Sequence, residues 1–444
     1  MPLRRSLGTL SLVFILYFST SGGPHTTETL VHEVGPGLAL LVMLAVPILW
    51  SIPEVLIIGE LASMLPEEGG YYRWVQRAFG DFWAFQNGWL TWLYSLVDMA
   101  IYPVLFLQYF GYFVPELTGV AKYVTMLLVI WIATGVNLRG ALPVGRISIV
   151  AGLFIIVGFL LVAGTAIPHI DHAPWKPFLA PGTGVPSGLA VGLSIALWNY
   201  IGWDNASTVE GELEDATRSY PRALAITLPL VTVGYFIPLL TTLGATDWTT
   251  WRDGGWPEIA MAASGVAGRW LAPWIAAGGM VSALALFNAL LLAYSRIPFV
   301  MATDRLLPKA IAVVDARGTP RNSVLVSAAC YSVFVLVPLG SLVVADALLY
   351  AFALSLEFAA LIRLRKTEPT LRGAFRIPVG RRGVIALALV PLSILATLVV
   401  LSFRDGEYGL PALLGSLVGM TAGVIVFGVA NRKRGATAAA NELA

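Results

Sequence analysis

The sequence predicts an all-α membrane protein of twelve transmembrane helices, and three observations carry that prediction. The chain has 444 residues, 57% of them hydrophobic and only 12% charged, with a mean hydropathy of +0.78, whereas soluble domains carry about 25% charged residues. Stretches of 18 or more largely apolar residues recur along the whole length, each long enough to cross the hydrocarbon core as a helix. The stretches are continuous rather than alternating, and strands of about ten residues would not need them, so a β-barrel is excluded.

Taken in order, the spans are expected at 7–18, 38–64, 82–110, 119–137, 143–166, 186–212, 221–246, 269–298, 322–340, 342–364, 383–403 and 409–430. The first run is too short to cross alone, since a spanning helix needs roughly 20 residues, and it stops at STSGGPHTTETL, residues 19–30. A secretory signal peptide would account for it, with Arg4 and Arg5 as the charged start and small residues ready for cleavage. A membrane helix broken to hold a solute would account for it as well.

Orientation follows from the basic residues. With the N-terminus inside, 23 of the 28 lysines and arginines fall on inner segments, and only Lys122, Lys176, Arg252, Arg269 and Arg404 lie outside. That asymmetry places both termini in the cytoplasm. The net charge of +2 offers nothing to a nucleic acid, and the single cysteine, Cys330, excludes a disulfide within the chain. Residues 431–444 read as a short, mobile cytoplasmic tail. No long tail or targeting run is apparent, so a multi-pass protein of the plasma membrane is expected.

A second break decides between the readings of the first. The sixth span contains ALWNYIGWDNASTVEGELE, in which Gly202 sits among Asn199, Asp204, Asn205, Ser207 and Thr208. Such residues compete for backbone hydrogen bonds and are poor helix formers. Irregular backbone at membrane depth survives only where protein or a water-filled cavity satisfies it. The interrupted first and sixth spans open two successive sets of five, and because five is odd the second set starts from the opposite side of the membrane. Paired interruptions in inverted halves point to the midplane site of a secondary transporter. Cleaving the first segment would leave the second half without its counterpart, so the signal-peptide reading falls away.

Several motifs make the chain resemble the amino acid–polyamine–organocation superfamily: SGGP at 21–24, PEVLIIGE at 53–60, GGYYRWV at 69–75, WDNASTVEGE at 203–212 and FRIP at 375–378. FWAFQNGW, DMAIYPVLFL and LEFAALIRLR further resemble the branch of plant polyamine uptake transporters and L-type amino acid transporters. The resemblance covers roughly residues 10–430. It implies a five-plus-five inverted repeat with broken helices 1 and 6 and two additional C-terminal helices. The corresponding divisions are 1–166, 167–364 and 365–430, followed by the tail.

A charge at the bilayer centre costs roughly 2.5–3.5 kcal/mol, so Glu54, Asp98, Asp204 and Glu357 each need a reason to be there. Asp98 lies on one helical face with Asn87, Thr91, Tyr94 and Tyr102, a polar and aromatic stripe that should face the bundle. It reads either as a carboxylate capped by a neighbouring tyrosine or, flanked by Tyr94 and Tyr102, as a contact for an ammonium. The plant transporters carry an acid at the matching place, which supports the second. Asp204 could cap the helix resuming at Asn205, meet an amine beside Trp203, or do both. Glu54 and Glu357 are candidates to carry a proton, although Glu357 could instead pair with Arg363. Glu60 is expected near solvent at the inner end, and Glu210 and Glu212 read as a gate paired with Arg73 or Arg77, or as a solvated helix end.

For an amino acid, the N–H groups of Ser21, Gly22 and Gly23 would hold the carboxylate and carbonyls from Asn199 to Gly202 the amine. For a polyamine, acids spaced along an elongated cavity are needed, and Asp98 with Asp204 favours that reading. Cationic or neutral amino acids remain the alternative. Many superfamily members that do not use sodium place a lysine in the fifth span, and the span at 143–166 has none. Proton coupling is therefore expected from the resemblance and the buried acids, with sodium left open. The sequence contains no HExxH or GxSxG nucleophile or base motif that would suggest an enzyme. In HIDH, residues 169–172, two histidines and one aspartate fall short of a metal site, and His25 and His32 read as structural or solvated. No cofactor or metal is expected.

Overall fold

The computed structural model describes residues 3–114, 117–337, 340–404 and 409–442. Residues 338 and 339, at the end of the expected ninth span, and 443–444 of the expected tail lie outside the described residues. The described residues form helices and connecting segments, and nine helices are long and apolar enough to cross a membrane.

Helix α1 (Thr9–Thr20) and helix α2 (Thr27–Val34) are the two halves of the first interrupted segment. Pro24 does not open α2. It lies in a turn whose carbonyl accepts from the Thr27 N–H and hydroxyl, and the helix starts three residues later. Helix α3 spans Pro36–Met64 and loosens into a π turn at Pro47–Ser51, where Pro47 and Pro53 withhold N–H groups from the helical ladder. A short helix α4 (Tyr71–Phe79) leads into α5 (Asp81–Phe110), α6 (Gly119–Asn137) and α7 (Ala141–Ala166).

Helix α8 (Val185–Trp198) ends at the second break, and the chain resumes as a 3₁₀ segment, Asn205–Glu212. Then follow α9 (Ala216–Ala245), the short α10 (Trp256–Ala263), α11 (Gly268–Thr303), α12 (Arg321–Phe334), α13 (Gly340–Thr367), α14 (Arg381–Arg404) and α15 (Gly409–Glu442). The polar end expected to be a mobile tail is helical as far as Glu442, and Arg434 within it reaches Asp81 at 2.8 Å.

Burial ranks the helices by position. In α11, 78% of the most apolar window is buried, against 11% in α15, so α11 runs through the centre and α15 along the outside. Helix α11 packs on α5 and α7, and α13 packs on α5. Leu41, Leu44, Ile48, Val150 and Leu153 remain exposed, as suits apolar faces whose surroundings are lipid.

The two breaks touch. Gly202 has φ +96°, and a Cβ there would lie 2.5 Å from the carbonyl oxygen of Ser19. Gly22 has φ +77°, and its Cβ would lie 2.6 Å from Leu286 and 2.7 Å from the Ser282 hydroxyl. Only glycine combines that backbone with that approach. Asn199 ties the breaks together further, since its Oδ1 accepts from the hydroxyls of Thr26 and Tyr235, both at 3.1 Å.

Candidate functional site

Between the breaks lies a small cavity of about 30 Å³, room for a few water molecules at roughly 10–15 Å³ each. Ser19, Thr20 and Ser21 line it from α1 and the first break, and Trp198, Ile201, Gly202 and Asn205 from the second. Helix α5 contributes Tyr94, Asp98 and Tyr102, helix α11 Leu286 and Tyr294, and helix α13 Asp346 and Tyr350. No lysine or arginine is among these lining residues.

Asp98 is the centre of the polar wall. Its Oδ1 accepts from the Tyr102 hydroxyl at 2.8 Å and its Oδ2 from the Tyr294 hydroxyl at 3.0 Å. The tyrosine capping read from the sequence and the cavity position are thus both realised. Asp346 brings a second carboxylate, and its Oδ1 is buried with no hydrogen-bond partner among the described residues. Tyr94 stands edge-on to Tyr294 and Tyr350, with ring centroids 5.9 and 5.6 Å away. Two acids among aromatic faces form an environment that attracts an ammonium by charge and by the ring quadrupoles.

The remaining predicted residues fall elsewhere. The Gly22 carbonyl accepts from Ser282 Oγ at 2.6 Å, and Gly23 is covered by Ile155 and Tyr17. The N–H groups expected to hold a carboxylate are already used: those of Ser21 and Gly22 donate to the Tyr17 carbonyl, and that of Gly23 to Ser21 Oγ. Trp203 is buried away from the cavity, its carbonyl accepting from Tyr220, while Trp198 supplies the cavity's indole. Asp204 makes no side-chain cap on the segment it precedes, so the capping reading is not realised.

Asp204 instead joins Glu54 and Glu357 behind the cavity wall. The Tyr350 hydroxyl is 3.2 Å from Glu54 Oε1 and 3.5 Å from Asp204 Oδ1, and accepts from the Gly202 N–H at 3.3 Å. Glu357 accepts from Asn87 Nδ2 at 3.4 Å and has no contact with Arg363, whose guanidinium lies over the Phe79 ring. Oε2 of both Glu54 and Glu357 is buried without a hydrogen-bond partner among the described residues.

At the face that carries Arg4 and Arg5, Glu212 pairs with Arg296, not with Arg73 or Arg77. Nε and Nη2 of the fully buried Arg296 donate to Glu212 Oε1 at 2.8 and 2.6 Å. The Glu212 backbone also accepts from the N–H groups of Ser6 and Leu7, which joins the start of α1 to the end of the 3₁₀ segment. Arg73 binds Asp304 instead, and Arg77 binds both carboxylate oxygens of Glu368. That hydrogen-bonded guanidinium holds the Glu368 carboxyl below its ordinary value. Glu60, expected near solvent, is buried, with its Oε1 2.7 Å from Arg365 Nε and its Oε2 accepting from the Ile377 N–H. On the opposite face, the indole N–H of Trp256 donates to the Pro24 carbonyl at 2.8 Å.

Sequence reasoning missed Asp346, Tyr350, Tyr294 and Arg296. The first two carry a legible signal: Asp346, Tyr350 and Glu357 recur at helical spacing on α13, the same pattern that singled out the stripe on α5. The stripes meet, since Asn87 Nδ2 on α5 also donates to the Ala353 carbonyl on α13.

Broken helices around a small, acid-walled, membrane-embedded cavity define a membrane transporter of small solutes rather than an enzyme. The family model for amino acid permeases matches residues 7–423, and the chain belongs to that family, within the amino acid–polyamine–organocation superfamily. It is 34% identical to the polyamine transporter RMV1 of Arabidopsis thaliana over 94% of this chain and 84% of that protein. With the polyamine transporter PUT1 of Oryza sativa subsp. japonica it shares 34% identity over 90% of this chain and 74% of the other. The branched-chain amino acid permease BcaP of Lactococcus lactis is 25% identical over 72% of this chain and 71% of its own.

Proposed function

We propose that the chain is a secondary active transporter that takes up polyamines or related organic cations by alternating access. The observation that carries this reading is the cavity wall, where Asp98 and Asp346 stand among tyrosines with no lysine or arginine beside them. An amine finds charge and aromatic faces there, whereas a substrate carboxylate would face two acids. The N–H groups that would receive such a carboxylate are spent on Tyr17 and Ser21. The similarity to polyamine transporters of two plants supports the same substrate class.

Under this reading the nine long helices, the two interrupted segments and the short α12 make up twelve spans. Residues 1–166 and 167–364 are the inverted halves, 365–430 add two helices, and both termini lie in the cytoplasm of a cell bounded by this plasma membrane. Ser21, Tyr94, Asp98 and Tyr102 contact the substrate directly. Gly22, Gly23, Asn199, Trp203 and Asp204 shape and support the breaks. Glu212 with Arg296 forms the inner gate. Glu54 and Glu357 exchange the coupling proton, because neither makes an ion pair among the described residues and each keeps a buried carboxylate oxygen without a hydrogen-bond partner there.

Uptake of labelled spermidine into proteoliposomes, with putrescine, arginine and leucine as competitors and with or without a pH gradient, tests this. Saturable uptake, competition by putrescine and none by leucine are expected. Asp98→Asn should lower uptake about tenfold or more, the loss of a charge-assisted hydrogen bond. Spermidine that is neither transported nor inhibitory would overturn the reading, and competition by leucine would favour the amino-acid permease alternative. pH-driven uptake that persists in both Glu54→Gln and Glu357→Gln would remove those residues from proton coupling.

A further inference from the structure

We infer that Glu68, Glu210 and Glu212 form a second cation site on the inner side of the cavity, one that takes an ammonium group of the departing substrate in exchange for the guanidinium of Arg296. The inference rests on the reading of the chain as an amine transporter. Asn205, which lines the cavity, and Glu212 are the two ends of one 3₁₀ segment. At a rise of about 2 Å per residue, Glu210 lies roughly 10 Å from Asn205 along the segment. Cargo leaving towards the face that carries Arg4 and Arg5 therefore passes it.

Two carboxyl groups face one cation there, and a third stands close by. Arg296 is fully buried and engages Glu212 Oε1 with two N–H groups. Glu68 Oε1 stands 3.9 Å from Arg296 Nε, too long for a hydrogen bond. Glu68 presses on the same segment, since a Cβ at Gly211 would lie 2.5 Å from its Oε2. Glu210 is 1% exposed, and neither of its oxygens has a hydrogen-bond partner among the described residues. The oxygens of Glu68 are likewise buried without a hydrogen-bond partner among the described residues. Buried carboxylates are ordinarily paired or hydrogen-bonded. Here the one guanidinium engages Glu212 and stands near Glu68, leaving buried oxygens of Glu68 and Glu210 without a donor among the described residues.

A guanidinium and a substrate ammonium are both multidentate cationic donors. As long as Arg296 binds Glu212, the end of the 3₁₀ segment stays fastened to α11. An ammonium held by Glu210 and Glu68 competes for Glu212 and frees that fastening, so opening is linked to the arrival of cationic cargo.

Side-specific kinetics test the inference. Proteoliposomes of defined orientation would report KM for labelled spermidine separately from the face bearing Arg4 and Arg5 and from the opposite face. For Glu210→Gln, and for Glu68→Gln at a less buried position, KM from the first face should rise about tenfold while KM from the other stays within twofold. Equal shifts on both faces, or none on either, would overturn the site while leaving the amine-transport reading intact. Failure of the unmodified protein to move spermidine would overturn both.

Discussion

Asp98 and Asp346 share a cavity but differ in what the protein gives them. Asp98 receives two tyrosine hydroxyls, whereas Asp346 Oδ1 receives nothing from the described residues. Replacing each by asparagine should therefore have different consequences for stability. Asp98→Asn keeps a carbonyl for one tyrosine but leaves the second facing a group that cannot accept, a loss of about 1–3 kcal/mol. Asp346→Asn removes a buried charge that lacks a donor and should leave the melting temperature in detergent unchanged or raised. Both should weaken spermidine binding about tenfold or more if both acids meet ammonium groups. Thermal melts and equilibrium binding on the same preparations check the two signs independently. Asp98 was legible in the sequence because polar neighbours at helical spacing flanked it. Asp346 obeyed the same rule three turns before Glu357 but stood at the start of its span, where an acid passes for a helix end. Arg296 was hidden for another reason: counted as an inner-loop charge, it is fully buried, and only the tertiary fold brings Glu212 to it.

Among the elements, the breaks were the most legible feature, because glycine and short polar residues inside apolar runs have few other uses in lipid. What could not be read was their mutual contact. Gly202 approaches Ser19 from a segment some 180 residues away, and no local pattern encodes that distance. The contact has a measurable consequence. Gly202→Ala puts a Cβ 2.5 Å from a backbone carbonyl at φ +96°, combining a backbone strain of order 1–3 kcal/mol with a clash that no rotamer relieves. Its melting temperature should fall by several degrees, and transport with it. Gly234→Ala supplies the control, since a Cβ in that part of α9 meets nothing within 4 Å and alanine is the better helix former. Equal behaviour of the two variants in melts would show that the close approach of the breaks is not tight. The late start of α2 belongs to the same scale: the Pro24 carbonyl is claimed by Trp256 of α10, a long-range partner that fixes the turn and delays the helix.

Across the whole molecule, the proposed closure at the face bearing Arg4 and Arg5 should depend on the buried ion pair of Glu212 and Arg296, which joins the end of the 3₁₀ segment to α11. Removing one partner of such a pair costs about 3–5 kcal/mol, because the other is left uncompensated, whereas replacing both by apolar groups is often neutral or better. Glu212→Gln should accordingly destabilise the protein strongly in thermal melts, and the double variant Glu212→Leu with Arg296→Met should recover most of the loss. Stability and closure then separate. The backbone bonds from Ser6 and Leu7 to the Glu212 carbonyl survive in the double variant, but the charge attraction that holds the 3₁₀ segment against α11 does not. A cysteine placed at Asn205, in the cavity wall, reports the difference, and the background is clean once Cys330, the chain's single cysteine, is changed to alanine. A membrane-impermeant thiol reagent applied from the Arg4 and Arg5 face should label Asn205→Cys slowly with the ion pair intact and at least tenfold faster in the double variant. Added spermidine should accelerate labelling of the intact protein and leave the double variant unaffected, since only the former has a guanidinium for the amine to displace. Equal labelling rates in the two backgrounds would show that packing alone closes that face, and the ion pair would then be a structural strut rather than a gate.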